Sequence, residues 1–125
     1  MVEGDEILLR QALSNLCRNA FEACDQAKVV PHIVIEGEQD SVHGVVRISV
    51  RDNGPGVPAD VAERVFQPFF TTKANGTGLG LALVQKIIVT HNGRVTAGSD
   101  EAGGARFDVT LPVSLSKQKS AELVR

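Results

Sequence analysis

Two asparagines, Asn15 and Asn19, stand four residues apart in a segment whose apolar residues recur at helical spacing. Asparagine is a weak helix former because its amide competes for backbone hydrogen bonds, and each one costs about 0.5 kcal/mol relative to alanine. Amide oxygens are neutral hard ligands, which suit a magnesium ion that already carries phosphate oxygens. Two interpretations are open: a magnesium-binding pair, or ordinary amides on a solvated helix face.

A carboxylate, Asp52, continues the alternation of the predicted strand Val45–Asp52 on its apolar face. A carboxylate there is unfavourable unless other groups donate hydrogen bonds to it. Because no partner strand pattern follows, Gly54 and Gly56 indicate a bare loop that a flat ligand can approach, rather than a tight hairpin turn. Asp52 could then accept a hydrogen bond from an exocyclic amino group such as that of adenine. The alternative is a carboxylate that only caps the following turn.

Three glycines, Gly76, Gly78 and Gly80, immediately precede an apolar segment with helical spacing. Glycines at the start of a helix expose N–H groups and the positive end of its dipole to anions such as phosphates. Donor groups close to these glycines are Thr72, Lys73 and Thr77. The G-x-G-x-G spacing differs from the dinucleotide fingerprint, and the chain contains neither a G-K-[ST] Walker loop nor the V-A-I-K and H-R-D elements of protein kinases.

Three of the five phenylalanines lie within five residues, at Phe66, Phe69 and Phe70. Core packing is the expected role for at least one of them. The others could anchor a mobile lid, because a loop needs apolar contacts to dock when it closes.

The elements that must position these residues follow from periodicity and turn residues. The predicted elements are a helix over about Asp5–Ala27, strands His32–Glu36 and Val45–Asp52 around a polar loop Gly37–Gly44, a short helix from Pro58 to about Val65, a helix over about Leu79–Thr90, and strands Arg94–Gly98 and Arg106–Leu111 around a turn at Gly103-Gly104. This order predicts an α+β fold, a two-layer α/β sandwich with about three helices on one face. We expect a mixed sheet, because both hairpin and crossover connections occur.

The bulk composition predicts one domain over residues 1–125, with a core at 1–112 and a polar tail at 113–125. A net charge of −2 with scattered basic residues argues against nucleic-acid binding. No apolar run is long enough to cross a membrane, and we expect no membrane contact by this chain. Cys17 and Cys24 lie about two helical turns apart, roughly 10 Å, which is too far for a disulfide. We expect buried free thiols and a cytoplasmic location, whether the parent protein is soluble or membrane-anchored.

Five segments in this order and spacing resemble the sequence boxes of sensor histidine kinase catalytic domains, within the GHKL ATPase superfamily. The matching segments are NLCRNA from Asn15, DNGPG from Asp52, FQPFF from Phe66, GTGLGL from Gly76 and GGARF from Gly103. NAFEAC, FFTTK and a short lid are most similar to the nitrogen-regulation branch of two-component sensors. The resemblance implies the Bergerat ATP-binding fold, with ATP and Mg2+ as ligands.

The resemblance also assigns roles to individual positions. Asn19 would be the main magnesium ligand with Asn15 in support, Asp52 would bind the adenine amino group, and Gly54 and Gly56 would shape the base pocket. The catalytic residues would be Asn15, Asn19 and Lys73. The whole set predicted to bind ATP is Asn15, Arg18, Asn19, Asp52, Gly54, Gly56, Val57, Phe66, Thr72, Lys73, Gly76, Thr77, Gly78, Leu79, Gly80 and Thr110.

Within that set, residues 76–80 would hold the phosphates, while Lys73 and Arg18 would steady the γ-phosphate. Gly103 and Gly104 would form the turn that closes the far side of the pocket.

Three positions depart from the family pattern. Ala105 occupies a place where related proteins often carry a threonine that holds adenine through water, so the base contact is expected to be looser or served by Thr110. Glu22 stands where many sensor kinases have lysine, which leaves Lys73 as the expected source of charge near the phosphates. The leading strand of the family is expected to be cut short at the start of this chain.

None of the three histidines, His32, His43 and His91, has the acidic neighbour in a helix that a phosphoacceptor histidine of this family carries. We therefore expect the phosphoacceptor on a separate dimerisation domain, with a response regulator as an indirect partner. Asn15 favours a kinase over a hydrolase, because the ATPases of the superfamily carry a water-activating glutamate there. Two alternatives remain: a serine kinase of the anti-sigma type, and a non-catalytic ATP-sensing module.

Overall fold

The computed structural model describes residues 6–68, 80–101 and 103–113. In chain order its helices and strands are α1 (Glu6–Gln26), β1 (Val34–Asp40), β2 (Val45–Arg51), α2 (Ala59–Ala62), α3 (Gly80–Thr90), β3 (Arg94–Ser99) and β4 (Ala105–Pro112). The four strands form one sheet in the order β1-β2-β4-β3. Apolar residues of α1, α3 and the inner face of the sheet share one core. This arrangement confirms the predicted α+β two-layer sandwich.

The prediction of a mixed sheet was wrong for these four strands, because every pairing among them is antiparallel. The chain does cross over through helices between β2 and β3, and these two strands run in the same direction. They are not neighbours, however, since β4 folds back from β3 and inserts between them. The connection from β2 to β3 is therefore a crossover between parallel strands that do not hydrogen-bond to each other.

The inner face of α1 is a stripe of four residues at four-residue steps, each completely buried: Ala12, Leu16, Ala20 and Cys24. In the same core, alternate residues of β4 are buried from Ala105 to Leu111. Both cysteines are free as predicted, but Cys17 is only half-buried, and burial raises the pKa of its thiol. No helix within the described ranges combines the length and apolarity that a bilayer crossing requires.

The first hairpin is tighter than the sequence predicted. Strand β1 continues through polar residues to Asp40, which pairs with Val45, so only the second half of the expected polar loop is a loop. Side-chain contacts compensate for the low strand propensity of these residues. Arg47 of the opposite strand lies 2.7 Å from the Asp40 carboxylate, and Nδ1 of His43, in the turn, also lies 2.7 Å from it. Hydrogen bonds hold the pKa of Asp40 well below its usual range, and the bond from Arg47 has a larger effect than those from His43.

Candidate nucleotide-binding site

The Asp52 loop, which we define as residues 52–57, leaves the end of β2 at the edge of the helical layer. Asp52 is only 7% exposed. Its Oδ1 accepts hydrogen bonds from the backbone N–H of Gly54 at 2.9 Å and of Ala105 at 3.1 Å. These two donors offset the cost of burying the carboxylate and fix its orientation. The carboxylate therefore does cap the following turn, and Oδ2 is the oxygen that it can present to a ligand.

Two other segments of the chain lie close to the Asp52 loop, and the approach at Gly104 leaves no room for a side chain. A Cβ on Gly104 would overlap the carbonyl oxygen of Asp52 and stand 2.6 Å from its carbonyl carbon. On the opposite side, a Cβ on Gly54 would lie 3.4 Å from the Cβ of Ala23 in α1. The loop is thus enclosed between α1 and the Gly103-Gly104 turn that joins β3 to β4. That this turn closes a nucleotide pocket stays a prediction.

Gly56 has a φ of 85°, a backbone conformation that residues with a side chain rarely adopt. A Cβ at this position would stand 2.9 Å from Ser99 Oγ and 3.1 Å from the carbonyl oxygen of Gly103. Val57, next in the loop, is half-buried against the core. The second glycine of DNGPG is therefore required for the shape of the loop.

Two polar side chains that the sequence did not single out hold this loop in place, one of them within the loop and one outside it. Asn53 makes hydrogen bonds to the segment between α1 and β1, and Ser99, the last residue of β3, bonds to the backbone of Val57. Asn53 contacts residues that lie 21 and 23 positions earlier in the chain, and Ser99 lies 42 residues from its partner. No local spacing links such distant residues, so only the folded structure identifies them.

Asn15 and Asn19 precede Ala23 in α1, so along the helix axis they lie progressively further from the Asp52 loop. Asn19 is one step of four residues from Ala23 and Asn15 is two steps, which corresponds to about 6 Å and about 12 Å along the helix axis. Both side chains are half-buried, whereas Arg18 is exposed. Helix α3, which begins at Gly80, packs on α1. A ligand whose base lies at Asp52 could therefore extend its phosphates along α1 towards the asparagines.

Six of the predicted ligand-binding residues lie outside the described residues: Thr72, Lys73, Gly76, Thr77, Gly78 and Leu79. Phe69 and Phe70, considered as lid anchors, also lie outside them. The roles expected of these residues remain predictions. Gly80, the last glycine of the run, is exposed at the first turn of α3, where the N–H groups of a helix attract anions.

Phe66 is a core residue. Its ring is 5% exposed and meets Phe107 of β4 edge to face, with centroids 6.2 Å apart. Such a pair adds about 0.5–1.5 kcal/mol beyond the area it buries. Core packing, the role expected for at least one phenylalanine of FQPFF, is therefore a role of Phe66, and its place among the ATP-binding residues stays a prediction.

Thr110 does not lie where it could take over the adenine contact that related proteins make through a threonine at the position of Ala105. Inward residues of β4 alternate with outward ones, and Thr110 belongs to the outward set with Arg106 and Asp108. It pairs with Arg47, four residues before the end of β2 at Arg51. Thr110 therefore lies on the face of the sheet away from the helices and several residues from Asp52, because side chains on a strand alternate between faces.

The donor set near α1 suits magnesium only together with phosphate. Within residues 6–68, 80–101 and 103–113, no group of three histidine, cysteine or acidic side chains could hold a metal by itself. The amide oxygens of Asn15 and Asn19 are hard, neutral ligands, which suit an ion that keeps water and phosphate oxygens in its shell. These residues therefore fit a magnesium ion that enters with a nucleotide.

A family model described as histidine kinase-, DNA gyrase B-, and HSP90-like ATPase matches residues 4–115. The chain belongs to this family. Among the curated relatives of this ATPase domain, the sensor histidine kinase ZraS of Escherichia coli O157:H7 is 43% identical over 117 residues, which are 94% of this chain and 24% of that protein. The sensor protein FixL of Bradyrhizobium diazoefficiens is 39% identical over 91% of this chain and 22% of its own.

Among solved structures, the catalytic domain of histidine kinase ThkA superposes with a TM-score of 0.76 and 39% identity, over 89% of this ATPase domain and 70% of that chain. A second structure holds ThkA in complex with the response regulator protein TrrA, with a TM-score of 0.74 and 34% identity over 93% of this chain and 31% of that one. These relatives identify the chain as the ATP-binding domain of a sensor histidine kinase. It spans about a quarter of the length of the curated relatives named above.

Proposed function

We propose that this domain binds ATP together with Mg2+ and transfers the γ-phosphate to a histidine on a separate dimerisation domain of its parent protein. The observation that carries the proposal is the buried Asp52 carboxylate, whose Oδ1 is held by two backbone N–H groups. A carboxylate fixed in this way, beside a loop shaped by glycines, is a preorganised acceptor for the 6-amino group of adenine.

The phosphates are proposed to lie along α1. Asn19 would be the main ligand of the magnesium ion and Asn15 would support it, while Arg18 would steady the γ-phosphate from the exposed side of the helix. Magnesium, when bound, neutralises charge that develops on the phosphates during transfer. The protein groups supply position: they hold the γ-phosphate in line for an incoming nucleophile.

Asn15 favours transfer over hydrolysis. An amide has no useful basicity, so this side chain cannot take a proton from water and generate a nucleophile. A neutral imidazole needs no such base, because it is already nucleophilic. The domain is therefore expected to hydrolyse ATP slowly and to deliver the phosphoryl group when a histidine docks at the γ-phosphate.

The proposed partners are the histidine-bearing dimerisation domain of the same parent protein and, indirectly, a response regulator. The structural relative ThkA has been solved in complex with response regulator protein TrrA. We propose a cytoplasmic location for this domain, which is where ATP and reduced thiols are available.

Mixing the purified chain with the dimerisation domain of its parent and ATP labelled at the γ-phosphate tests the proposal. We expect acid-labile label on the dimerisation domain, and loss of that label when its phosphoacceptor histidine is replaced. Acid-stable label on serine would instead favour the anti-sigma type of kinase. Tight ATP binding with no label on either partner would contradict the kinase proposal and favour a nucleotide sensor.

A further inference from the structure

We propose that Asn53 and Ser99 are positioning residues that hold the Asp52 loop against adenine and so set the preference of the site for a 6-aminopurine. Neither side chain is required to touch the nucleotide. The inference rests on the proposed function, because it assumes that Asp52 accepts a hydrogen bond from the base.

Asn53 ties the start of the loop to the segment that follows α1. Its Nδ2 donates to the carbonyl of Val30 at 2.8 Å, and its Oδ1 accepts from the backbone N–H of His32 at 2.8 Å. The buried thiol of Cys24 donates to the same oxygen, with Sγ 3.2 Å away. Both ends of the amide are therefore engaged by the α1–β1 side of the molecule, which directs this side chain away from the base.

Ser99 ties the other end of the loop to the sheet. Its Oγ accepts from the backbone N–H of Val57 at 3.1 Å and lies 3.0 Å from the Val57 carbonyl, to which it donates. One hydroxyl thus satisfies both backbone groups of a loop residue that no strand pairs. Ser99 is itself fixed through the pairing of β3 with β4, where it stands opposite Ala105.

Gly54 lies in the loop between Asn53 and Val57, the residues at which these two contacts are made, and we infer that the contacts affect adenine recognition through it. Its N–H is one of the two donors that orient Asp52, and its position depends on the chain on either side of it. Hydrogen bonds weaken steeply when their angle or length changes. If either anchor is lost, Gly54 can move and the Asp52 carboxylate can rotate. Recognition of the amino group should then fail while phosphate binding along α1 continues.

The test compares the affinity of the 125-residue chain for ATP and for purine riboside triphosphate, which is ATP without the 6-amino group. The wild-type chain should prefer ATP by about 10-fold or more, since the missing bond is made to a charged carboxylate. In Asn53→Ala and Ser99→Ala this preference should fall to about threefold or less, with the affinity for the analogue changing less than about threefold. Ser99→Thr, which keeps the hydroxyl, should retain the preference of the wild-type chain.

Ser49→Ala is the matched control, because Ser49 also donates a hydrogen bond, to Asp108 on the outer face of the sheet, away from the Asp52 loop. It should leave the preference unchanged. Equal losses of affinity for both nucleotides in Ser99→Ala, or an unchanged preference, would overturn the inference while leaving ATP binding established. A wild-type chain that binds both nucleotides equally well would overturn the proposed recognition of adenine by Asp52, and this inference with it. If Asn53→Ala does not fold, the Ser99→Ala and Ser99→Thr pair decides.

Discussion

Replacing Asp52 by asparagine is expected to lower the affinity for ATP by about 10- to 100-fold without unfolding the domain. The amide oxygen can keep both backbone hydrogen bonds, from Gly54 and Ala105, that Oδ1 receives in the wild-type chain. The amide nitrogen, however, would present a donor to the donor group of adenine. A hydrogen bond to a charged partner contributes about 1.5–3 kcal/mol, which corresponds to this loss of affinity.

Isothermal titration of Asp52→Asn with ATP and with purine riboside triphosphate measures this effect. The variant should bind the analogue about as well as the wild-type chain does, because only the amino group loses its acceptor. Asp52→Ala is the harsher comparison: it leaves the Gly54 and Ala105 N–H groups without their acceptor and should cost stability as well. An Asp52→Asn variant with wild-type affinity for ATP would show that the base does not bind at this carboxylate.

Replacing Gly104 by alanine is expected to destabilise the domain by at least about 3 kcal/mol, at the upper end of what overpacking costs. The added methyl group would overlap the Asp52 carbonyl, and a backbone neighbour cannot rotate away as a side chain can. Relief requires the end of β2 to separate from the start of β4. That movement would break the bond from Asp52 N–H to the Ala105 carbonyl, 3.0 Å in length, and the bond from Ala105 N–H to Asp52 Oδ1.

Gly98→Ala is the control for this substitution, in the same β3–β4 hairpin. A Cβ on Gly98 would meet no atom within 4 Å, and alanine costs less backbone entropy than glycine. Urea unfolding of the two variants should therefore separate them clearly: Gly104→Ala strongly destabilised, Gly98→Ala close to the wild-type chain. A Gly104→Ala variant as stable as Gly98→Ala would contradict the close approach of these two backbone segments.

Local pattern was sufficient to predict the residues whose environment follows from their own element. The alternation of β2 predicted that Asp52 lies on the inner face, and helical spacing predicted the first helix, whose Leu16 and Ala20 are buried in the core. The glycines of DNGPG were identified as a bare loop because no strand pattern followed them. Gly56, with its positive φ, fits that prediction.

Features that depend on distant partners were not accessible in this way. The polar residues at the end of β1 are typical of a loop, and the ion pair between Asp40 and Arg47 of the neighbouring strand is not visible in the local sequence. The second neighbour of β2, besides β1, is β4, and this pairing results from the return of the chain after β3 and not from any pattern within β2. Thr110 was placed wrongly for a related reason, since its distance from Asp52 follows from the pairing register of β2 with β4.

The central claim, that α1 and the Asp52 loop together bind magnesium-ATP, is tested most directly by calorimetric titration of the 125-residue chain with ATP, with and without Mg2+. We expect binding to tighten by about 10-fold or more when Mg2+ is present, and we expect Asn19→Ala to lose this gain, because the proposed metal ligand is removed. Binding that does not respond to Mg2+, or an Asn19→Ala variant that responds as the wild-type chain does, would contradict the assignment of Asn19. No binding of ATP under either condition would contradict the claim as a whole.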